Sequence, residues 1–357
     1  MSDKPRRGSR AAGFSLRGST RAEAHGSHSS PTMPTAQSER LSMRDLRARA
    51  GRFYRTHVRR GVPVLTFHRI REGDGLSLVR LERILDDVAE RFTTLRLSDL
   101  ADLLRRRRPL PRRFLALTFD DATRDQLALA VPALSARGLC GTFAAIGCTL
   151  RERVVPPLFS FLHALERTTL SGVEFSFPPH WTGGTLDLSA EGRAAIARGD
   201  SPLRRRIQAA EPALAAELAA AFSAAVQVSP PPVEHLFGDV VELSKLIDAG
   251  HEVAAHSLWH QDVYEPDPAA WIRDLRADFA VMCEAFGTRA HAFVYPFGKE
   301  RRMEVHNEVR RAGFGCAATT EPGTNLWHTH PYAIRRLGVC EDTPLPLDLP
   351  DGKRLLR

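Results

Sequence analysis

From residue 61 onward, short apolar runs alternate with amphipathic stretches, several of which stop at a glycine, and this rhythm constrains the fold more than any other feature of the chain. "VPVLTF" (62–67), "FLALTF" (114–119), "GTFAAI" (141–146), "EVAA" (252–255), "AHAFVY" (290–295) and "FGCAAT" (314–319) read as buried strands, and "YAIRRLGV" (332–339) as a last one. Helical periodicity fills 76–92, 97–108 with a Ser98 cap, 125–137, 238–249, 267–286 and 303–312, with Gly138, Gly250, Gly287 and Gly313 closing four of them. Strand, helix and strand in repeated order imply a parallel sheet. About seven such units imply an α/β chain closed into a distorted (β/α)7 barrel.

Residues 150–235 break the rhythm with helical stretches and the Pro-rich joints "VVPPL", "FPPHW" and "SPPPV". Because the barrel pattern resumes beyond them, they are expected to form a helical insertion within one βα loop. The domain reading is then a basic tail at 1–60, a barrel at 61–345 and a short C-terminal tail at 346–357.

Composition agrees with one large core: the chain has 357 residues, 43% of them hydrophobic. The formal charge of +8 is not spread evenly, since residues 1–60 hold 14 Lys+Arg against 4 Asp+Glu and the rest holds 36 against 38. The basic excess therefore belongs to the tail, and no nucleic-acid partner is expected for the folded domain. The tail is rich in Ser, Gly, Pro and Arg, a composition that cannot offset chain entropy by burial, so it is expected to be disordered. It carries no apolar core of a secretory signal, and no run of roughly 18 apolar residues occurs, so a cytoplasmic location without a transmembrane segment is expected. The five cysteines show no CxxC spacing and read as small buried hydrophobes in a reducing compartment. The basic run "RRRRPLPRR" (105–113) lacks interleaved aromatics and reads as a solvated loop.

Four polar features follow directly on strands, where parallel α/β folds assemble their sites: His68, the Asp120–Asp121 pair, His256 with His260, and "YPFG" (295–298). "HSLWH" spaces two imidazoles at i and i+4, so both can reach one ion. With an aspartate from another strand end they make a His2Asp set that leaves coordination positions open, as a catalytic divalent ion, zinc above all, requires. Two adjacent carboxylates in a concave site repel each other unless a cation neutralises one of them. Taken alone, the pair also fits a helix cap with a first-turn acid.

"PVLTFHRI", "LTFDDATRD", "GHEVAAHSLWHQD" and "FVYPFG" together resemble the polysaccharide deacetylases of the chitooligosaccharide-deacetylase type, carbohydrate esterase family four in the broad sense. The resemblance spans roughly residues 61 to 340 in order and spacing. It implies a metal-dependent deacylase in which Asp121, His256 and His260 ligate a divalent ion and Asp120 is the general base. It also implies an oxyanion donor in the backbone N–H of Phe297, a sugar pocket walled by Tyr295 and Phe297, and a substrate-side place for His68. The sequence departs from the family at Ala122, where glycine is usual, at Gln261, where proline is usual, and at Val294, where stricter members carry the arginine that orients the base. The C-terminal "LxH" acid motif is absent, and His328 and His330 in "NLWHTHPYAIRR" are the substitutes in view, His330 first. Arg335 and Arg336 fit either substrate binding or pairing with acidic neighbours at the barrel rim, the second being the favoured reading.

The expected function is removal of an N-acyl group, acetyl in the leading case, from an amino sugar of a glycan. Two alternatives stay open: hydrolysis of cyclic imides or ureides on the same barrel, and a glycan-binding barrel without turnover.

Overall fold

The computed structural model of the chain describes residues 61–72, 75–110, 113–260, 268–287, 291–298 and 302–341. The expected tails at 1–60 and 346–357, and Gln261, lie outside them.

Strands β1 (Val62–Phe67), β2 (Thr93–Leu95), β3 (Phe114–Asp121), β4 (Thr142–Ala145), β7 (Glu252–Ala255), β8 (Ala292–Val294) and β9 (Cys316–Ala318) belong to one sheet, and β5 (Gly172–Glu174) and β6 (Thr185–Asp187) form a separate antiparallel hairpin. The central order is β1-β3-β4-β7-β8-β9, all parallel. β2 lies parallel on the start of β3, and β10 (Thr324–Asn325) runs antiparallel to β1. Closure comes from residues 331–339. Ile334 bridges Ala318 of β9, and β11 (Leu337–Gly338) pairs with Leu65 and Thr66 of β1. This closing segment takes the seventh position of the barrel.

Side-chain alternation sorts each strand into an inner and an outer set. Phe67, Phe119 and Phe143 stack outward at centroid distances of 5.0 and 4.7 Å, in the core shared with the surrounding helices. The intervening positions face inward and are small: Val64, Ala116, Ala144, Ala254, Ala292, Val294 and Ala318 share one cluster with Leu97, Leu100 and Leu104 of helix Leu97–Arg105. That helix plugs the end where the strands begin. Buried Glu252 holds it there by accepting from the backbone N–H groups of Leu97 (2.9 Å) and Ser98 (3.3 Å). Its cap is Arg96 with Asp99, not Ser98. At the other end of the strands the same inner file becomes polar: Thr66, Thr118, Asp120.

The helix expected at 125–137 opens as a wide π turn over Gln126–Ala130 before Val131–Ser135 turns regular. Gln126 uses that turn to tie two strand ends together, donating from Nε2 to His68 O (2.6 Å) and Asp120 O (2.7 Å).

The insertion is helical, with Pro157–Arg167, Ala190–Arg198, Pro202–Ala209 and Pro212–Ala225 around an apolar core of its own, including Phe161, Leu218 and Phe222. It also contains the β5–β6 hairpin, which the Pro-rich composition of 176–184 hides from a periodicity reading. Cys148 and Cys316 are buried as expected, while Cys140 and Cys283 are half-buried and Cys340 is exposed. No helix among the described residues is long and apolar enough to cross a membrane.

Candidate active site

Asp120 and Asp121 end β3, and the backbone separates their tasks. Asp120 keeps strand geometry and faces into the barrel; Asp121 has φ 77° and Ala122 φ 48°, so the chain turns sharply and Asp121 is carried to the mouth. Ser257 (62°), His260 (57°) and Phe297 (53°) also adopt left-handed φ. Such strain in non-glycine residues persists where surrounding contacts hold it, and Asp121, His260 and Phe297 among these residues line one cavity. The usual glycine after the aspartate pair thus has a reason, and Ala122 occupies the position at a conformational cost.

Asp121 Oδ1 lies 3.5 Å from His256 Nε2 and 3.2 Å from His260 Nε2. One ligand atom from each of the three falls within 4.8 Å of the others, and all three residues are buried. Val294 O lies 2.9 Å from His256 Nδ1, which places the proton on that nitrogen and leaves Nε2 as a lone pair toward the cluster. Asp121 Oδ1 is buried without a hydrogen-bond partner. Two imidazole nitrogens and a buried, unsatisfied carboxylate oxygen are the donor set a divalent ion takes. Burial alone raises the Asp121 pKa, but the adjacent imidazoles of His256 and His260 hold it well below the usual carboxylate range. His260, despite the same neighbour, is pulled down by burial.

Asp120 is clamped from below. Arg336, 1% exposed, donates from Nη1 to Oδ1 at 2.6 Å and from Nη2 to Oδ2 at 2.9 Å, and also reaches Thr118 Oγ1 (3.2 Å) and, through Nε, Thr319 O (2.9 Å). Burial raises the Asp120 pKa; the Arg336 charge, then those of His256 and His68, reverse this and hold the carboxyl below its ordinary range. Where the resemblance implies an arginine at Val294, the guanidinium beside Asp120 comes instead from Arg336 of the closing segment. Arg336 is not a rim residue: the small inward Val294 sits in the same inner cluster, and the closing segment delivers the guanidinium to the aspartate. His68, with a 59% exposed side chain, stands on the open side, Nε2 3.7 Å from Asp120 Oδ2.

These groups share a cavity of about 380 Å³, lined also by Arg69, Arg71, Thr320 and residues of the insertion. Phe297 and Phe159 flank His260 at centroid distances of 4.7 and 5.3 Å. Phe159 comes from the insertion and was invisible as a site residue, since nothing in "PLFSFLHALER" but its tertiary position marks it.

Two expected site residues are not brought here. Tyr295 is fully buried on the outer face of the sheet, against Phe293 and His306, with its hydroxyl donating to Tyr332 O at 3.2 Å. Strand alternation accounts for this, since Val294 points inward and its successor must point outward. His330 lies where the closing segment begins, at the opposite end of the barrel, stacked on His306 at 5.5 Å and accepting from Tyr332 N at 3.3 Å. It therefore does not face Asp120.

Residues 227–317 match the polysaccharide deacetylase family. That span includes His256, His260 and Phe297 and stops short of Asp120, Asp121 and Arg336. No curated protein sequence matches the chain. Among solved structures, the Streptococcus pyogenes deacetylase PplD in complex with acetate is similar at a TM-score of 0.52 and 12% identity, covering 81% of this chain and 96% of that one. IcaB from Ammonifex degensii is similar at 0.50 and 16% identity, covering 78% and 91%. At these identities the likeness establishes the shared fold.

Proposed function

We propose that this chain, a member of the polysaccharide deacetylase family, is a metal-dependent hydrolase that removes N-acetyl groups from amino sugars of a glycan. The observation that carries the reading is the union of two sets at one barrel mouth: the Asp121–His256–His260 donors, and an adjacent Asp120 held ionised by a buried arginine.

Asp121, His256 and His260 would hold a divalent ion, with zinc the best match to these donors, which would supply a Lewis acid and a water of pKa about 7. The chain's own residues divide the remaining work. Asp120 takes the proton of the attacking water. Arg336 fixes its orientation through two parallel bonds and keeps it charged at neutral pH, the condition for a general base. His68 stands across from Asp120, open to the cavity, and is assigned delivery of the proton to the departing amine. Phe159 and Phe297 wall the acyl side and exclude water. The replacement of the family's arginine by Arg336 supports turnover over a purely glycan-binding barrel.

Zinc-loaded protein should release acetate from N-acetylglucosamine oligomers. Asp121→Ala, His256→Ala and His260→Ala should lose bound metal and turnover together. Turnover that persists in metal-stripped protein rejects the proposal.

A further inference from the structure

The insertion builds one wall of the cavity, and Arg204 on that wall carries a charge that no acid balances. It belongs to helix Pro202–Ala209 and lines the cavity beside Leu158, Leu162 and Ala197. Its Nη1 donates to Ile196 O at 3.2 Å and to Ala197 O. Its Nε is buried without a hydrogen-bond partner. Burial pulls its pKa below the ordinary arginine value, with Asp200 the only acid opposing the shift. Among the described residues no carboxylate reaches it at ion-pair distance.

The other two arginines on the cavity are already matched, Arg69 with Asp125 (3.3 Å) and Arg71 with Glu166 (2.8 Å). The acids at the cavity floor are spoken for as well, Asp120 by Arg336 and Asp121 by its imidazoles and the ion proposed there. A helix-end role accounts for the Nη1 bonds of Arg204, but Ile196 O is reached independently by Gly199 N at 3.0 Å, and the partial negative charge of a helix C-terminus, about half a unit, offsets only part of a full guanidinium charge. A half-buried guanidinium in apolar surroundings is costly unless an anion joins it. The cavity is therefore electrostatically incomplete toward a neutral sugar.

We propose that Arg204 receives an anionic substituent, a carboxylate or a phosphate, on the amino sugar that enters this cavity. The inference rests on the deacylase reading for the identity of the sugar, but its test is binding and needs no turnover. The insertion would then set specificity while the barrel mouth supplies the chemistry.

The experiment is calorimetric binding at low salt to the zinc-loaded full chain, using N-acetylglucosamine, its 6-phosphate, and N-acetylmuramic acid. At least one anionic probe should bind about tenfold more tightly than the neutral sugar, the scale of one charge-assisted contact. The stronger of the two tells phosphate from carboxylate. In Arg204→Gln, which retains an amide donor for Ala197 O, the preference should fall to about one. Equal affinity for all three probes, or a preference that survives Arg204→Gln, overturns the proposal. If Arg204→Gln fails to fold by circular dichroism, Arg204→Lys decides: it keeps a charge but not the planar fork, and the preference should drop about threefold or more. An undiminished preference there also overturns it. An anionic preference that depends on Arg204 in a protein that deacylates nothing rejects the deacylase reading while retaining the anion site.

Discussion

Arg336 and Asp120 are joined by two parallel hydrogen bonds, Nη1 to Oδ1 at 2.6 Å and Nη2 to Oδ2 at 2.9 Å, although 216 residues separate them. The pair is buried, and one partner belongs to the segment that closes the barrel. It couples closure of the fold to the ionisation of Asp120.

Removing the arginine should therefore damage both. Arg336→Met leaves a buried carboxylate without its cation, a loss of about 3–5 kcal/mol, and turnover should fall about 100-fold or more. Because the folded-state pKa of Asp120 is depressed, the stabilisation it brings is complete above the unfolded value and fades as pH falls toward the folded one. Denaturant titrations should show the gap between wild type and variant full at neutral pH and shrinking below about pH 4.

His68, the proposed acid, and His330, the one first expected, should separate cleanly. His68→Ala is expected to lower amide hydrolysis about 100-fold, and much less for an aryl acetate, whose leaving group needs no proton. His330→Ala should retain wild-type kcat/KM, since that ring packs on His306 at the other end of the strands. Acetate release measured on both substrates for both variants checks this.

Ala122 offers a stability gain inside the site. At φ 48° an L-residue is strained, and glycine is not. Ala122→Gly should raise unfolding free energy by about 0.5–1 kcal/mol in denaturant melts, with metal content unchanged.

Asp278 on helix Pro268–Phe286 is fully buried beside the Ser257 backbone, with no ion-pair partner among the described residues. Burial pushes its pKa well above the ordinary carboxylate value. A raised folded pKa costs increasing stability as pH climbs from the unfolded value toward the folded one. Asp278→Asn should match wild type near pH 4 and exceed it progressively at neutral and alkaline pH; a gain that does not grow with pH would reject this.

Much of the barrel was legible because its signals are local. Strand β7 and helix Met303–Ala312 fall where apolar runs and glycine stops place them, and Asp120, Asp121, His256 and His260 could be singled out because each follows a strand. Alternation also held the answer for Tyr295, one position beyond inward Val294. The hairpin within the insertion was not legible, since three-residue strands carry no period to detect.

By itself the sequence determined the parallel α/β barrel, the strand ends that carry the acids and imidazoles, and the pairing of two histidines four residues apart, because these depend on spacing along one segment. Only the tertiary structure decided which arginine serves Asp120, that His68 and not His330 faces it, and that Arg204 enters the cavity without an acid. Those relationships join side chains from segments that meet only when the sheet curls and closes. A Coulombic contact between distant segments leaves no periodicity in either of them.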